Sequence, residues 1–407
     1  MRGCGAALAV AMTFVAATRT SAQTSSASPQ GSETVDAADL WRKVRHKPPP
    51  PPDAEPSRRA FVVAPVIGVR PDTGPLIGIA GNVAGFHGDP ANTHISTSVF
   101  SFTFSSKGQS LSNVRFTQFT GEDRWLAVGD NRFQWTSQDT FGLGSSSAES
   151  DAVNAKYDFF RLHETVYRRV APHLFAGGGV RFNTHQGIRA GDEEDVSELP
   201  SVTYSQLHGL PIDSGTSGGL SAGIRYDSRD NQIDARRGWY GNVSYGAYFE
   251  GFLGGDSSWQ NVDFDLRAYR DLTATGRHRL AAWTYGDFVV SGVAPYYDLP
   301  ATAMDTFGRS GRGYPEGRFR GDQLIYAEVE YRATLTPNRL VGMVMFANAT
   351  SVSAPDDGEA LFHTVAPGGG IGARLLLNKR SGTNLCFDVG FGRDGSRGIY
   401  LSVQEAF

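Results

Sequence analysis

The chain contains only two cysteines among 407 residues, Cys4 and Cys386. Residues 1–22 have an arginine near the start, an apolar run at 6–17 and small residues before the predicted cleavage after Ala22, which is the pattern of an export signal peptide. The apolar run is too short to cross a bilayer as a helix. Because cleavage removes Cys4, the mature chain is predicted to contain no internal disulfide.

The chain also has little excess charge of either sign, since its net charge is only -4. No basic stripe runs along any one face of the predicted elements. Nucleic-acid partners usually require such a stripe. We therefore expect no nucleic acid among the partners of this chain.

Motifs for catalysis and metal binding are missing from the sequence. The nine histidines are scattered, with His94, His208 and His363 in loops or at strand starts, and none belongs to a His-Glu-x-x-His motif. No Gly-x-Ser-x-Gly elbow is present to support a serine nucleophile. The acidic loop 192–195 is interpreted as a solvated loop, with divalent-cation binding near lipid head groups as the alternative. The sequence predicts no enzyme, no metal site and no cofactor.

Residues 23–60 are rich in Ser, Thr, Gln and Pro and include the run Pro48 to Pro52. Such a composition does not bury a core, so a disordered periplasmic linker is predicted. Trp41 and the basic residues around it leave a second interpretation open, a short docking element for a partner or for lipid head groups.

From Phe61 to Phe407 the hydrophobic pattern has a period of two. In 325–331, for example, apolar side chains alternate with polar ones over a length that exceeds that of ordinary soluble strands. Sixteen such runs are predicted, with blurred alternation in the sixth and the eleventh. They are 61–70, 75–87, 94–104, 110–120, 123–135, 155–169, 172–184, 217–227, 237–249, 258–271, 277–290, 322–334, 339–350, 367–378, 382–392 and 397–406.

The connections between these runs fall into two classes. Those after even-numbered runs are mostly short, as at 121–122, whereas those after odd-numbered runs include 185–216 and 291–321. Short turns on one side and long loops on the other are typical of an outer-membrane barrel. Hydrocarbon offers no hydrogen-bond partner to an open edge, so the strands must close. The predicted fold is all-β, a sixteen-stranded antiparallel transmembrane barrel over residues 61–407.

Pro65 lies inside the first predicted strand. Proline cannot donate to a ladder and is expected where pairing is weak. In a closed barrel the first strand meets the last, so we expect only short pairing between 61–70 and 397–406.

Three motifs give the chain a recognisable family signature. Phe141-Gly142-Leu143-Gly144 precedes the middle of the barrel, and Arg312-Gly313-Tyr314 lies within the glycine-rich stretch 311–322 between the eleventh and twelfth strands. The chain from Phe61 to Phe407 resembles the BamA/TamA-type outer-membrane assembly family, also called the bacterial surface-antigen barrels. The third motif resembles the family's periplasmic turn, although Ala235 stands where a proline is common. It consists of Tyr226, Asp227, Ser228, Arg229, Asp230, Asn231 and the later Gly238.

The resemblance implies that the sixth outer loop folds into the lumen, where its arginine pairs with acidic residues on the next two strands. Carried over to this sequence, Arg312 contacts Glu330, and alternation places Glu328, Phe346 and Asn348 on lumen faces as well. The family usually has an aspartate where this chain has Asn348. An amide oxygen accepts a hydrogen bond but brings no charge, so we expect a clamp that is weaker or that depends more on Glu330.

The resemblance also implies a function in assembly or translocation at the bacterial outer membrane. Implied partners are outer-membrane lipids, the machinery that inserts this barrel, and client envelope proteins. Residues 23–60 are too few for a polypeptide-transport-associated domain, so a barrel-only member is expected. The alternative function is a passive pore or structural barrel gated by the loop 291–321.

Phe407 ends the last predicted strand, with Ile399, Leu401 and Val403 on its face. The resemblance implies that this terminal aromatic is the signal by which the barrel is recognised for insertion. A plain aromatic-belt residue at the periplasmic rim is the other interpretation.

Overall fold

The computed structural model describes residues 34–46, 59–70, 74–89, 92–191, 196–379 and 381–407. Sixteen antiparallel strands form one sheet in which each strand pairs with the next along the chain, as predicted. Their bounds are β1 Arg59–Arg70, β2 Gly74–Gly85, β3 Ser96–Ser105, β4 Ser110–Thr120, β5 Trp125–Thr140, β6 Val153–Ala171, β7 Leu174–Ala190, β8 Ser214–Asp227, β9 Gly238–Tyr248, β10 Trp259–Asp271, β11 His278–Gly292, β12 Gln323–Thr334, β13 Val341–Ser353, β14 Ala366–Asn378, β15 Thr383–Gly392 and β16 Arg397–Val403.

Alternation along each strand sorts side chains between two faces. In β12, Glu328 and Glu330 are buried, whereas Val329 between them is 49% exposed. The same outward position is taken by Met345 in β13 and Ile371 in β14. The outside of the barrel is therefore apolar and its inside polar, which is the arrangement that a bilayer requires.

Bulges occur near the ends of the two strands whose alternation is blurred. The ladder between β6 and β7 shifts register between Lys156 and Asp158 and again between Arg169 and Ala171. The ladder between β10 and β11 shifts opposite Val290. These bulges change the faces only at the strand ends. Within β6 the alternation of faces continues, and the pattern is blurred because Tyr157 and Phe159 are buried on the inner face.

The connections follow the predicted division into short turns and long loops. The turn between β4 and β5 is 121–124, whereas the loops 191–213 and 293–322 lie at the opposite end of the barrel. Helix α2, Pro200–His208, forms within the first of these loops. Six short 3-10 helices also occur in the described residues, namely Glu149–Asp151, Val196–Glu198, Phe252–Gly254, Tyr296–Asp298, Pro355–Asp357 and Arg393–Gly395. In the part of the chain that the structure describes, no helix has the length and apolar content to span a bilayer.

The weakest junction lies between the first strand and the last. Within the described residues no ladder joins β1 to β16, although Cα atoms of the two strands approach within 8 Å. This agrees with the prediction of short pairing at this junction, which we call the seam. The predicted strand 397–406 is too long, because Gln404 takes a φ of +84° and the chain leaves the sheet after Val403.

Part of the predicted disordered linker is ordered, because the described residues 34–46 contain a helix. Residues Ala37–Val44 form helix α1, which starts with a capping box between Asp36 and Asp39. Lys379 holds the helix to the barrel, since its backbone N–H donates to Asp36 over 3.0 Å and its ammonium group to Asp39 over 2.8 Å. Capping and this ion pair supply the order that composition alone did not indicate. The predicted signal peptide 1–22, the proline run 48–52 and the acidic loop 192–195 lie outside the described residues.

Candidate functional site

The loop between β11 and β12, residues 293–322, runs across the inside of the barrel, and we call it the arginine loop. On one wall, Arg132 of β5 donates to the carbonyl of Asp305 over 2.8 Å. On the other wall, Arg312 reaches carboxylates of β12 and β15. These contacts all go to inward-facing side chains, so the loop bridges opposite walls of the lumen.

Arg312 is the central side chain of this loop and is only 1% exposed. Its Nε donates to Glu328 over 3.1 Å and its Nη1 to Asp388 over 3.0 Å, while Nη2 contacts both Glu328 and Glu330. The guanidinium lies 3.7 Å from the ring centroid of Phe346, so its flat face is covered as well. The predicted contact between Arg312 and Glu330 is present.

Asn348 has a different role from the one predicted. Its amide nitrogen donates to the carbonyl of Arg312 over 2.9 Å, so it holds the backbone and accepts nothing from the guanidinium. The charge that Asn348 lacks is supplied by Asp388 of β15. Three carboxylates surround the guanidinium instead of two, and the strength of the clamp stays a prediction. Alternation places Asp388 on the lumen face, which was the available signal for it.

The carboxylates are shared with two further arginines. Arg332 pairs with Glu330, and Arg374 pairs with both Asp388 and Glu405. Each buried charge thus has a partner of opposite sign, which is the condition under which ions are tolerated away from water. The clamp is one connected network extending from the loop to the C-terminal residues.

Gly313 and Tyr314 connect the arginine loop to the strands at the seam. The backbone N–H of Gly313 donates over 2.9 Å to the hydroxyl of Tyr400 in β16. Gly313 has a φ of +111°, and a Cβ there would lie 2.7 Å from the carbonyl oxygen of Phe391, so only glycine fits. The hydroxyl of Tyr314 donates to the carbonyl of Pro367 and accepts from the N–H of Arg393 over 2.9 Å. Tyr400 was not predicted.

Arg318 and Arg320 are held by carbonyl and hydroxyl oxygens. Arg320 donates to the carbonyl of Tyr296 over 3.0 Å, and Arg318 donates to the hydroxyl of Ser147 over 2.8 Å. The predicted Phe141 to Gly144 motif supports the same segment. The N–H of Gly144 donates to the carbonyl of Arg320 over 2.7 Å, and Arg318 lies over the ring of Phe141.

The predicted turn motif forms a self-contained structure at the short-turn end of the barrel. Asp227 is buried and accepts from Arg229 over 2.9 and 2.7 Å, and Asp230 accepts from the N–H of Arg236 over 2.9 Å. Asn231 accepts from the N–H of Ile233 over 2.7 Å. Gly238 has a φ of +106°, and a Cβ at this position would lie only 2.3 Å from the carbonyl oxygen of Ser228.

Two residues of this motif, Tyr226 and Asn231, reach beyond the turn itself. Tyr226 is 41% exposed on the outer face. Asn231 also donates to the carbonyl of Ser381 over 3.3 Å, which links the motif to the turn after β14. These contacts lie at the short-turn rim of the barrel.

Phe407 is neither on a strand nor at an aromatic rim, which corrects both structural expectations for it. The side chain is 7% exposed and its ring centroid lies 5.3 Å from that of Trp283 on the inner face. Arg332 donates to its main-chain oxygen over 2.9 Å. The tail turns inward because Arg332 and Arg374 hold the Phe407 main-chain oxygen and the Glu405 carboxylate. Whether the residue is also an insertion signal stays a prediction.

No group of three or more His, Cys, Asp or Glu side chains suited to a metal occurs in the residues that the structure describes. Cys386 is a buried free cysteine. The site is therefore a network of arginines and carboxylates, whose direct action is to hold the loop and the strands near the seam.

Comparison with known proteins found one family model and several solved structures that are similar to this chain. Residues 194–392 match the Omp85 superfamily domain. The structure of BamA from Haemophilus ducreyi lacking POTRA domains 1–3 aligns with a TM-score of 0.54 and 15% identity, covering 86% of this chain and 70% of that one. A search of curated protein sequences found no significant match.

Two CdiB structures give a similar alignment. CdiB from Acinetobacter baumannii and from Escherichia coli have TM-scores of 0.51 and 0.52, each with 12% identity and 85% of this chain covered. This chain spans 58% and 61% of their lengths. The structural matches show a shared fold. The chain is therefore a sixteen-stranded β-barrel that shares its fold with BamA and CdiB, and residues 194–392 of it match the Omp85 superfamily domain.

Proposed function

We propose that this barrel assists the insertion or translocation of other envelope proteins at its seam. The observation that carries the proposal is the absence of a ladder between β1 and β16 in the described residues. An unpaired strand edge presents N–H and C=O groups that another strand can pair with. In hydrocarbon such groups are costly to leave unpaired, so a client strand gains by binding there.

The arginine loop supplies a means to hold this edge in place. Gly313 bonds to Tyr400 of β16, and Arg312 bonds to Asp388 of β15. The same loop is anchored to β5 through Arg132. We infer that the loop positions the two last strands relative to the rest of the barrel and keeps the seam available.

The remaining parts of the chain take supporting roles in this proposal. Residues 1–22 direct export, and residues 61–407 form the membrane domain. Partners are the lipids around the barrel, the machinery that inserts it, and client strands, none of which requires bond-breaking chemistry from this chain. The match of residues 194–392 to the Omp85 superfamily domain supports this proposal.

The proposal is tested by locking the seam with a cross-link. Cysteines are placed on β1 at Val63 and on β16 at Ile399, in a Cys386→Ser background, and joined by a short bifunctional maleimide. The matched control joins Ile371 and Val389, which are register partners in the ladder between β14 and β15. The probe is a urea-unfolded eight-stranded outer-membrane barrel added to proteoliposomes, and its folding is followed by heat-modifiable gel mobility.

We expect the unlocked barrel and the Ile371–Val389 control to accelerate folding of the probe equally. The seam-locked barrel should lose most of that acceleration. If both locks leave the acceleration unchanged, the seam is not the working surface. If no variant accelerates folding while the protein conducts ions across planar bilayers, the passive pore is the correct function.

A further inference from the structure

Helix α1 carries an apolar face that nothing in the described residues covers. Leu40 is 39% exposed, Trp41 58% and Val44 72%. Together with Ala37 they stand at spacings of three and four residues, which places them on one side of the helix. Asp39 and Arg42 lie on the opposite side. A contiguous exposed patch of Trp, Leu and Val indicates a surface that contacts a partner or a membrane.

The anchoring contacts place α1 at the rim of the barrel. The N–H of Val35 donates to the carbonyl of Asn338 in the turn between β12 and β13 over 3.0 Å. Lys379, which binds Asp36 and Asp39, lies in the turn after β14. Both are short turns and thus periplasmic. Leu335 in the first of these turns is 53% exposed.

The outer faces of the strands above these turns are the lipid-facing surface of the barrel. Val329, Met345 and Ile371 are exposed there. Helix α1 is anchored at the turns that end these strands, so it lies at the rim where the lipid-facing surface ends, and lipid is the occupant that we assign to its apolar face.

The charges on α1 fit a phospholipid surface. Asp39 is neutralised by Lys379 at 2.8 Å and by Arg42 at 3.3 Å. Lys43 and Arg45 add positive charge, and the guanidinium of Arg45 lies 4.4 Å from the ring centroid of Trp41. Tryptophan beside basic side chains is typical of helices that lie in the membrane interface.

We propose that α1 is an interfacial helix that binds the periplasmic leaflet of the outer membrane. Leu40, Trp41 and Val44 insert at the boundary between head groups and acyl chains, and the basic residues favour anionic phospholipids. The helix thereby fixes the chain to the membrane next to strands β12 to β15. This inference does not depend on the proposed function, since it holds for any barrel of this structure.

The test measures how deep each helix face lies in a bilayer. The chain without residues 1–22 and with Cys386→Ser receives one nitroxide label, either at Val44→Cys or at the matched control Lys43→Cys. A third variant, Trp41→Cys, repeats the test on the apolar face. Each is reconstituted in vesicles of phosphatidylethanolamine with phosphatidylglycerol and, separately, of phosphatidylcholine alone. Collision rates with oxygen and with a water-soluble nickel chelate are compared, and heat-modifiable mobility confirms that the barrel is folded.

We expect labels at Val44 and Trp41 to collide several-fold more with oxygen than with the nickel chelate, and the label at Lys43 to show the reverse. Replacing Arg42, Lys43 and Arg45 by Gln in the Val44→Cys chain should make that label shallower in the anionic vesicles and not in phosphatidylcholine. Free access of the nickel chelate to Val44 and Trp41 in both vesicles would overturn the inference. Protection from both reagents with dipolar broadening between labels would also overturn it, in favour of a second copy as the occupant.

Discussion

At the scale of single residues, Arg312 carries the strongest constraint in the site. It is buried against three carboxylates and one aromatic ring. A guanidinium can serve all of them because it is planar and has five donors, whereas an ammonium group cannot reproduce that geometry. Removing the arginine leaves the carboxylates of Glu328, Glu330 and Asp388 with less compensating charge in a buried place.

Arg312→Ala should lower the free energy of unfolding by about 3–5 kcal/mol, the usual cost of removing one partner from a buried ion pair. Arg312→Lys should retain only part of the stability that Arg312→Ala loses. The control is Arg397→Ala, since Arg397 is an exposed arginine on β16. Unfolding is followed in urea by loss of the heat-modifiable band in lipid vesicles. Equal midpoints for Arg312→Ala and Arg397→Ala would show that the clamp contributes nothing to stability.

Gly313→Ala should destabilise the barrel more than Gly395→Ala. Both glycines have positive φ, so both substitutions carry a backbone strain of about 1–3 kcal/mol. Only at Gly313 does the added Cβ also meet a carbonyl, that of Phe391 at 2.7 Å, whereas the space at Gly395 is open. The same urea titration compares the two variants. A larger loss for Gly395→Ala would mean that the contact with β15 is not tight.

The contact between Arg312 and Glu330 could be predicted because the family resemblance carries it and alternation fixes which face each residue takes. Asp388 and Tyr400 could not be paired with the loop in the same way. Their faces follow from alternation, but their distance from Arg312 and Gly313 depends on how the barrel closes between β12 and β16. That closure has no local sequence signal.

At the scale of elements, a histidine joins two periplasmic turns. His94, before β3, donates its backbone N–H over 2.9 Å to Asp123 in the turn between β4 and β5, and its ring contacts the same carboxylate. Burial and the charge of Arg229 lower the pKa of His94, with burial the larger of the two. The hydrogen bond and charge of Asp123, together with the charge of Asp227, outweigh them and raise the pKa above its usual value of 6.5.

Because the folded pKa is raised, protonated His94 stabilises the folded barrel. This contribution is fully present below about pH 6.5, the pKa of an unfolded histidine, and is lost as the pH rises through the higher folded value. Urea midpoints measured from pH 5.5 to 8.5 should therefore fall with pH in the native chain. They should change less in His94→Gln. A native chain with the same pH slope as His94→Gln would contradict this assignment.

The C-terminal tail is a second element whose role can be measured. Phe407→Ala removes the ring that packs against Trp283. It should lower the free energy of unfolding by about 3 kcal/mol, at the low end for a buried phenylalanine because the main-chain oxygen can still bind Arg332. Refolding from urea into detergent avoids the cellular insertion machinery, so a lower urea midpoint there reports the packing alone. An unchanged midpoint with poor insertion in cells would assign Phe407 to recognition instead.

The strands were predictable as elements because a two-residue period persists over ten or more residues in most of them. Two features were not. The inward turn after Val403 depends on Arg332 and Arg374, which lie on distant strands, and helix α1 depends on a cap and on Lys379. Both are tertiary contacts, whereas the composition of residues 23–60 and the alternation of 397–406 are local signals.

At the scale of the whole molecule, fifteen ladders hold sixteen strands and the described residues show none at the seam. The arginine loop joins β5 to β12, β15 and β16 across the lumen, and we expect it to limit how far the unpaired seam can open. A sequence can indicate that a barrel must close. The extent of pairing between its first and last strands depends on the tilt and register of all the strands together.

The central claim is that the seam is unpaired in the membrane. Spin labels on Val63 and Ile399 in lipid nanodiscs, compared with labels on the ladder partners Ile371 and Val389, test it most directly through their short-range dipolar spectra. We predict a broad distribution of distances for the seam pair and a narrow one for the ladder pair. Equally narrow distributions at paired-strand separation would contradict the account.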